Sequence, residues 1–245
     1  MSTAMEPPLW QALTERIEHL IAELELGPGD QLPTECELSD RLGANRHTVR
    51  RALKQLEEQG RIDARQGRGR FLRLPAIHYR IGPRPRFTDI LTDQQLVPST
   101  RLLHMEVRRA PEEVARILSL RSGSKVVMIE RMGLADGNAV SLSTHYFGYG
   151  RFPHLVAAYE RRQSITAALR DCGLHDYVRR STRVTSRLPT ARERRLLGLP
   201  RHVPLIVTRS CNVDRRGWPI ECGEACMASD RIELEITSSH EEPRP

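Results

Sequence analysis

Leu9, Leu13, Ile17, Leu20, Ile21 and Leu24 recur at steps of three and four residues, which places them on one face of a helix. Gly27-Pro28-Gly29-Asp30 stops that helix. Thr34 and Glu37 then stand in capping-box relation, so a short helix is predicted through about Leu42, with Gly43 as its C-cap. Asn45 can cap a third helix running to about Gln59, with Gly60 as its stop. On that helix Val49, Ala52, Leu53 and Leu56 cluster on one side, while His47, Arg50, Arg51 and Lys54 lie on the other. Residues 62–64 and 70–72 read as short strands around Gln66-Gly67-Arg68-Gly69, where glycine permits a tight turn and a close backbone approach to a phosphate. The sum is a winged helix-turn-helix.

Residues 75–85 read as a linker, because Pro75, Gly82, Pro83 and Pro85 break up any regular element. Farther on, 102–108, 126–134 and 140–147 carry strand patterns, with Asp136-Gly137-Asn138 as a strong turn between the last two. Helices are predicted at 111–118 with Pro111 in the first turn, at 163–171 closed by Gly173, and at 190–197 with Thr190 and Glu193 in capping-box relation. Strands 203–213 and 219–227 form a hairpin across 214–217. Strands and helices do not alternate strictly, so the fold class expected here is α+β with an antiparallel sheet. No internal repeat is legible, and residues 1–8 and 238–245 read as frayed ends.

Charge changes this picture more than composition does. The chain of 245 residues carries a formal excess of +7. Between Arg41 and Arg73 ten Lys or Arg face three acids, so that one segment holds the whole excess. Such concentration points to a surface made for a phosphate backbone. Hydrophobic residues make up 39%, enough for a packed core, and no apolar run approaches the ~18 residues of a membrane span. With no signal-peptide pattern in residues 1–8, a soluble cytoplasmic protein with no membrane contact is expected. Five cysteines at irregular spacing argue against a disulfide framework. Cys222 and Cys226, with Cys211 on the preceding strand, lack the spacing of a metal site and read as buried thiols. No nucleophile elbow, Walker loop or His-Glu-x-x-His is present. No catalytic residue, metal or cofactor is therefore expected.

In a winged helix-turn-helix the last helix enters the major groove with its N-terminal residues at the base edges. Arg46 and Arg50 are the candidates for base readout, since Arg pairs bidentately with guanine. Thr48 suits a phosphate or a thymine methyl. Gln66, Gly67 and Arg68 would track the backbone or the minor groove. A cationic helix face is also what a merely solvated surface looks like, but acid is nearly absent from this one until Glu57 and Glu58.

The chain resembles the GntR family of bacterial repressors at Leu32-Pro33-Thr34-Glu35, Leu38, Leu42-Gly43, Arg46-His47-Thr48-Val49-Arg50-Arg51-Ala52-Leu53 and Gln66-Gly67-x-Gly69. The resemblance implies DNA contacts at Thr34, Glu35, Arg46, Thr48, Arg50 and Gly67, with His47 and Arg51 beside them. His47 departs from the smaller or hydroxylic residue of many members. The strands of the C-terminal part exclude an all-helical effector domain. Ile129-Glu130-Arg131, Ala135-Asp136-Gly137, Asp214-Arg215-Arg216-Gly217-x-Pro219-Ile220-Glu221 and Asp230-Arg231 resemble the HutC branch, whose UTRA-type effector domain shares its fold with chorismate lyase. Within that branch, Arg86-Phe87-Thr88, His145-Tyr146-Phe147, Arg151-Phe152-Pro153, Ser164-Ile165-Thr166, Asp176-Tyr177-x-Arg179 and Arg183 resemble the phosphonate-metabolism regulators. The implied organisation is a DNA-binding domain at 1–74, a linker at 75–85 and an effector domain at 86–245.

An anionic effector needs guanidinium forks, hydroxyls and free backbone amides. Arg86 and Thr88 offer a cation and a hydroxyl just after the linker, Ser164 and Thr166 open a helix, and Arg131 alternates with Glu130 along a strand. Carrying over the branch's ligand positions gives Thr88, Arg131, Ser164, Thr166 and Glu221. Gly133 departs from relatives that sense sugar phosphates, which often carry a second arginine there. The plainer alternatives are Ser164 as a helix cap only, Arg131 in a structural ion pair with Glu221, and Glu221 facing solvent. The expected function is a homodimeric repressor of phosphonate uptake or metabolism genes, released from double-stranded operator DNA by a small anionic effector, a phosphonate or phosphorylated metabolite. The rivals are a regulator sensing an amino acid or sugar derivative, a nucleoid-type binder that senses nothing, and a lyase-fold enzyme.

Overall fold

The computed structural model describes residues 9–27, 29–65, 67–73, 76–82 and 86–236. The predicted frayed ends, the wing residue Gln66 and the prolines Pro75, Pro83 and Pro85 lie outside the described residues. The chain divides into two compact units, Met1–Pro75 and Ala76–Pro245.

In the first unit α1 (Leu9–Glu23), α2 (Glu35–Leu42) and α3 (Arg46–Glu58) enclose a core of Leu13, Ile17, Leu38, Val49, Leu53 and Leu56. The caps are those the sequence predicts. Glu37 N donates to Thr34 Oγ1 at 3.3 Å while Thr34 N donates to Glu37 Oε2 at 2.7 Å. Gly43 closes α2 in the left-handed conformation, and Asn45 Oδ1 accepts from Thr48 N at 2.8 Å to start α3. β1 (Ile62–Arg65) pairs antiparallel with β2 (Gly69–Leu72) to make the wing. The segment ahead of α2 runs along β2: Leu32 N donates to Arg70 O at 2.8 Å and Leu72 N to Asp30 O at 2.9 Å. That contact requires glycine at 69, where φ is +101° and a Cβ would lie 2.7 Å from Gln31 Nε2.

The second unit opens with β3 (Ile77–Arg80) and α4 (Phe87–Thr92). There follow β4 (Pro98–Arg109), α5 (Glu112–Ile117), β5 (Lys125–Ala135) and β6 (Asn138–Gly148). After α6 (Leu155–Arg162) and α7 (Ile165–Asp171) come β7 (Val178–Arg187), α8 (Ala191–Leu197), β8 (Leu205–Val213), β9 (Pro219–Ala228) and β10 (Ile232–Glu235). Six strands form one antiparallel sheet in the order β4-β5-β6-β9-β8-β7. The α+β class with an antiparallel sheet is what the sequence predicts.

Alternation along the strands separates two cores. Val127, Ile129 and Phe147 pack against α6 and α7. Val126 and Cys222 meet α5, and Met132, Leu142, Leu205 and Val207 meet α8, on the other face. The element order repeats: strand–helix–strand–strand occurs as β4-α5-β5-β6 and again as β7-α8-β8-β9, the two halves meeting at the β6–β9 pair. This repeat is one of topology, carried by different side chains, which is why none is visible in the sequence.

The segment expected to be irregular linker is corrected in part. Ile77–Arg80 is a strand that pairs in parallel with β10, Ile77 opposite Ile232 and Tyr79 opposite Leu234. Its partner lies over 150 residues away in sequence, so local breakers hid a pairing that only the tertiary fold supplies. Leu91 of α4 packs with Ile77 and Ile232 against Ala135, Val140 and Met227. α4, α6, β7 and β10 lie where no element was predicted.

Candidate functional site

Two sites emerge, one in each unit. In the first, the Asn45 cap brings Arg46, His47 and Arg50 out on the exposed face of α3, opposite the buried Val49 and Leu53. Glu35, half-buried at the start of α2, organises this face. It accepts from Arg50 Nε at 3.1 Å and Nη2 at 2.9 Å, and from Arg70 Nη1 of the wing at 2.9 Å. The Arg50 guanidinium foremost, with Arg70 behind it, holds the Glu35 carboxyl below its ordinary value against the opposing pull of burial. Glu35 thus sets the direction of Arg50 and ties the recognition helix to the wing.

Arg46 Nη2 rests 3.0 Å from Cys36 Sγ. Thr34 is spent on the α2 cap, and Thr48 Oγ1 donates to Asn45 at 3.0 Å. Arg51 lies elsewhere: its guanidinium sits over the Trp10 ring of α1, 5.0 Å from the centroid. Gly67 and Arg68 are exposed at the wing tip. Two guanidinium groups at a helix N-terminus, a positioning carboxylate and a basic wing have the chemistry that contact with duplex DNA needs.

The second site is a cleft on the sheet face that carries α6 and α7. Ladder pairing puts Arg131 beside Ser143, His145 beside Ile129, and Glu221 beside both Phe147 and Asn212, all on this face. A continuous chain of contacts results. Arg131 Nη2 lies 3.3 Å from His145 Nε2, and His145 Nδ1 lies 2.6 Å from Glu221 Oε1. Asn212 Nδ2 donates to Glu221 Oε2 at 2.6 Å, and Arg179 Nε donates to Asn212 Oδ1 at 2.7 Å. Arg179 Nη1 continues to Thr182 Oγ1 at 3.2 Å.

Proton positions follow from the donors. Arginine can only donate, so His145 Nε2 must accept, and the ring is neutral with its proton on Nδ1 pointing at Glu221. Burial first, then the fields of Arg131 and Arg179, push His145 below its ordinary value and outweigh Glu221. Burial alone would raise Glu221, but the His145 and Asn212 hydrogen bonds with Arg179 behind them hold the carboxyl below its ordinary value. Two permanent cations therefore surround one carboxylate. Glu224 also borders the cleft, matched by Arg209 at 2.7 Å. Arg131 Nε is buried without a partner. A net positive charge with an unused donor, in a cavity of about 90 Å³, suits an anion.

The candidate effector residues divide. Arg131 and Glu221 line the cleft, bridged by His145 rather than paired directly. Glu221 is buried and does not face solvent. Ser164 caps α7, accepting from Ala167 N at 3.3 Å. Thr166 Oγ1 lies 3.4 Å from the Tyr177 hydroxyl, which burial holds above its ordinary value and which feels Glu221 and Arg86. Arg86 faces Asp89 at 3.9 Å, and Thr88 is exposed on α4. None of these four lines the cleft.

His145 and Arg179 entered the sequence reading only as carriers of a family resemblance, not as effector residues, and Asn212 was not singled out. One signal pointed to them: Ser141, Ser143 and His145 occupy every second position of a strand whose other residues are mostly apolar. A strand buried on both faces with one polar row implies a buried polar site.

Cys211 and Cys222 face each other across β8 and β9, and Cys226 lies on the same side of β9 as Cys222. All three are buried free thiols, Cys222 and Cys226 pushed up to about 12 by burial. Among the described residues no group of three His, Cys, Asp or Glu could hold a metal, and no helix is long and apolar enough to cross a membrane.

Residues 9–72 match the bacterial regulatory proteins of the gntR family, and residues 93–233, more than half of the chain, match the UTRA domain. The chain is a GntR-family transcriptional regulator. Its effector unit places it in the UTRA-bearing, HutC-like branch. An uncharacterised HTH-type regulator of Rhizobium meliloti (strain 1021) is 34% identical over 229 residues, 93% of this chain and 94% of that one. The HTH-type transcriptional repressor PhnF of Mycolicibacterium smegmatis is 29% identical over 204 residues, 83% of this chain and 82% of that one. The crystal structure of PhnF from Mycobacterium smegmatis superposes with a TM-score of 0.64 at 25% identity, covering 94% of this regulator and all of that chain. GntR-family regulators bind operator DNA, and the first unit of this one is the part that matches the family's DNA-binding domain.

Proposed function

We propose that this regulator is a homodimeric repressor of phosphonate uptake or metabolism genes, and that a small anionic effector bound in the second unit's cleft releases it from its operator. The observation that carries this is the pairing of Arg131 and Arg179 around one carboxylate, with a buried guanidinium nitrogen left unpartnered. A phosphonate dianion supplies the missing acceptors and the missing charge. The likeness to the transcriptional repressor PhnF supports the repressor role.

Sequence order supplies the route to DNA. Tyr79, Ile81 and Phe87 border the cleft, and all three belong to the stretch that follows directly on Pro75, the last residue of the first unit. An effector that repositions them acts on the chain leading to the DNA-binding unit. Release requires that the effector bind the arrangement incompetent for DNA more tightly than the competent one. A two-fold dimer would present two recognition helices to a near-palindromic operator.

Thermal unfolding with a panel of phosphonates, phosphate, sugar phosphates and amino acids tests the effector class. A ligand at a hundredfold excess over its dissociation constant stabilises the native state by about 2.7 kcal/mol. A selective rise of the midpoint with phosphonates supports the proposal; a rise only with amino acids contradicts it.

A further inference from the structure

Phe87, the first residue of α4, is seated on bare backbone. A Cβ built on Gly133 would lie 2.8 Å from Phe87 Cζ, 3.1 Å from Cε1 and 2.5 Å from Ser141 Oγ. No side chain fits there, so glycine at 133 is what lets the ring come down onto β5. Gly133 stands two residues along the strand from Arg131 and on the same face. The ring thus lines the same cleft as Arg131 and takes up room that a larger ligand would need. The cleft that remains is about 90 Å³. Clefts that enclose larger ligands run to about 300–1,000 Å³.

Resting on the effector reading above, we infer that Phe87 is the residue that sets ligand size. Seated on Gly133, it admits a compact tetrahedral oxyanion, a phosphate or short-chain phosphonate, and excludes a phosphorylated sugar. The head group is recognised by Arg131, Arg179 and the hydroxyls of Ser143 and Thr182; the ring recognises the absence of anything bulky behind it. Apolar packing against Ile77, Leu91 and Val140 holds the ring in place, so discrimination comes from a steric wall rather than from a hydrogen bond.

Calorimetric titration of the full chain with methylphosphonate, inorganic phosphate and glucose 6-phosphate tests this, because the three share an oxyanion head and differ in bulk. Wild type is expected to bind at least one compact anion and to reject glucose 6-phosphate by 100-fold or more. Which compact anion binds more tightly decides between phosphate and phosphonate as the source. Phe87→Ala is expected to tighten glucose 6-phosphate at least tenfold relative to the compact anion. Phe87→Leu, which keeps most of the apolar packing, is expected to fall between them and guards against a folding defect in the smaller variant. If wild type already accepts glucose 6-phosphate, or if both variants bind compact anions yet reject the sugar as strongly as wild type, the size filter is wrong while the effector site stands. If no protein binds any of the three, the effector reading fails and the filter with it.

Discussion

His145 Nδ1 lies 2.6 Å from Glu221 Oε1, and this contact fixes the imidazole with its other nitrogen toward Arg131. The ring can relay only while neutral. A proton on Nε2 would set an imidazolium against the Arg131 guanidinium at 3.3 Å, with Arg179 nearby and only Glu221 to compensate.

A pH dependence follows. His145 stays neutral in the folded protein, whereas in the unfolded chain it takes up a proton below its ordinary value near 6.5. The unfolded state then binds more protons, so stability falls as pH drops from about 6.5 toward the lowered native value. Glu221 adds to this in the same direction below its ordinary value of 4.5, since its stabilisation is complete above that value and is lost as pH falls through the native one. His145→Gln keeps an amide donor for Glu221 and an acceptor for Arg131 but cannot titrate. Its melting midpoint is expected to fall less between pH 7 and pH 5 than that of wild type. Equal slopes would show that His145 titrates in the fold as it does in the unfolded chain, which contradicts a lowered native value.

In the first unit Glu35 orients Arg50, and on the DNA-binding reading its negative charge would lie near the phosphates. Glu35→Gln is expected to raise affinity for random-sequence DNA while lowering discrimination for the operator, because repulsion is relieved and Arg50 loses its guide. Arg50→Ala is expected to cost about 1–3 kcal/mol on the operator and to relax sequence preference. Binding titrations on specific and random duplexes at several salt concentrations separate the two effects. An unchanged ratio of specific to random affinity in Glu35→Gln would contradict the positioning role.

The first unit was legible almost to the residue because its signals are local. The Thr34–Glu37 box, the Asn45 cap and the apolar face of α3 each lie within one or two helical turns. The wing is a hairpin whose glycines mark its tip. In the second unit the strands around Asp136-Gly137 were legible for the same reason, with Asp136 and Gly137 both at positive φ. β3 was not, since its partner β10 is distant in sequence. The site was legible in its charges and not in its wiring. Arg131 and Glu221 were named from the sequence, but His145, which joins them, and Arg179, on a strand of mostly exposed residues, take their meaning from strand register. Ser164 shows the converse: a hydroxyl at a helix start reads equally well as ligand or cap, and here it caps.

On the proposed function, an anion bound beside Arg131 drives the regulator off DNA. The most direct measurement is the anisotropy of labelled duplex from the region adjoining its own gene, titrated with wild type and Arg131→Ala in the absence and presence of a phosphonate. Coupling of 1–3 kcal/mol, about 5- to 150-fold, is the ordinary range. The phosphonate is expected to weaken wild-type binding within that range, and Arg131→Ala to bind DNA as wild type does but no longer to respond. Wild-type affinity indifferent to every phosphonate, or normal release from Arg131→Ala, would contradict the proposed function.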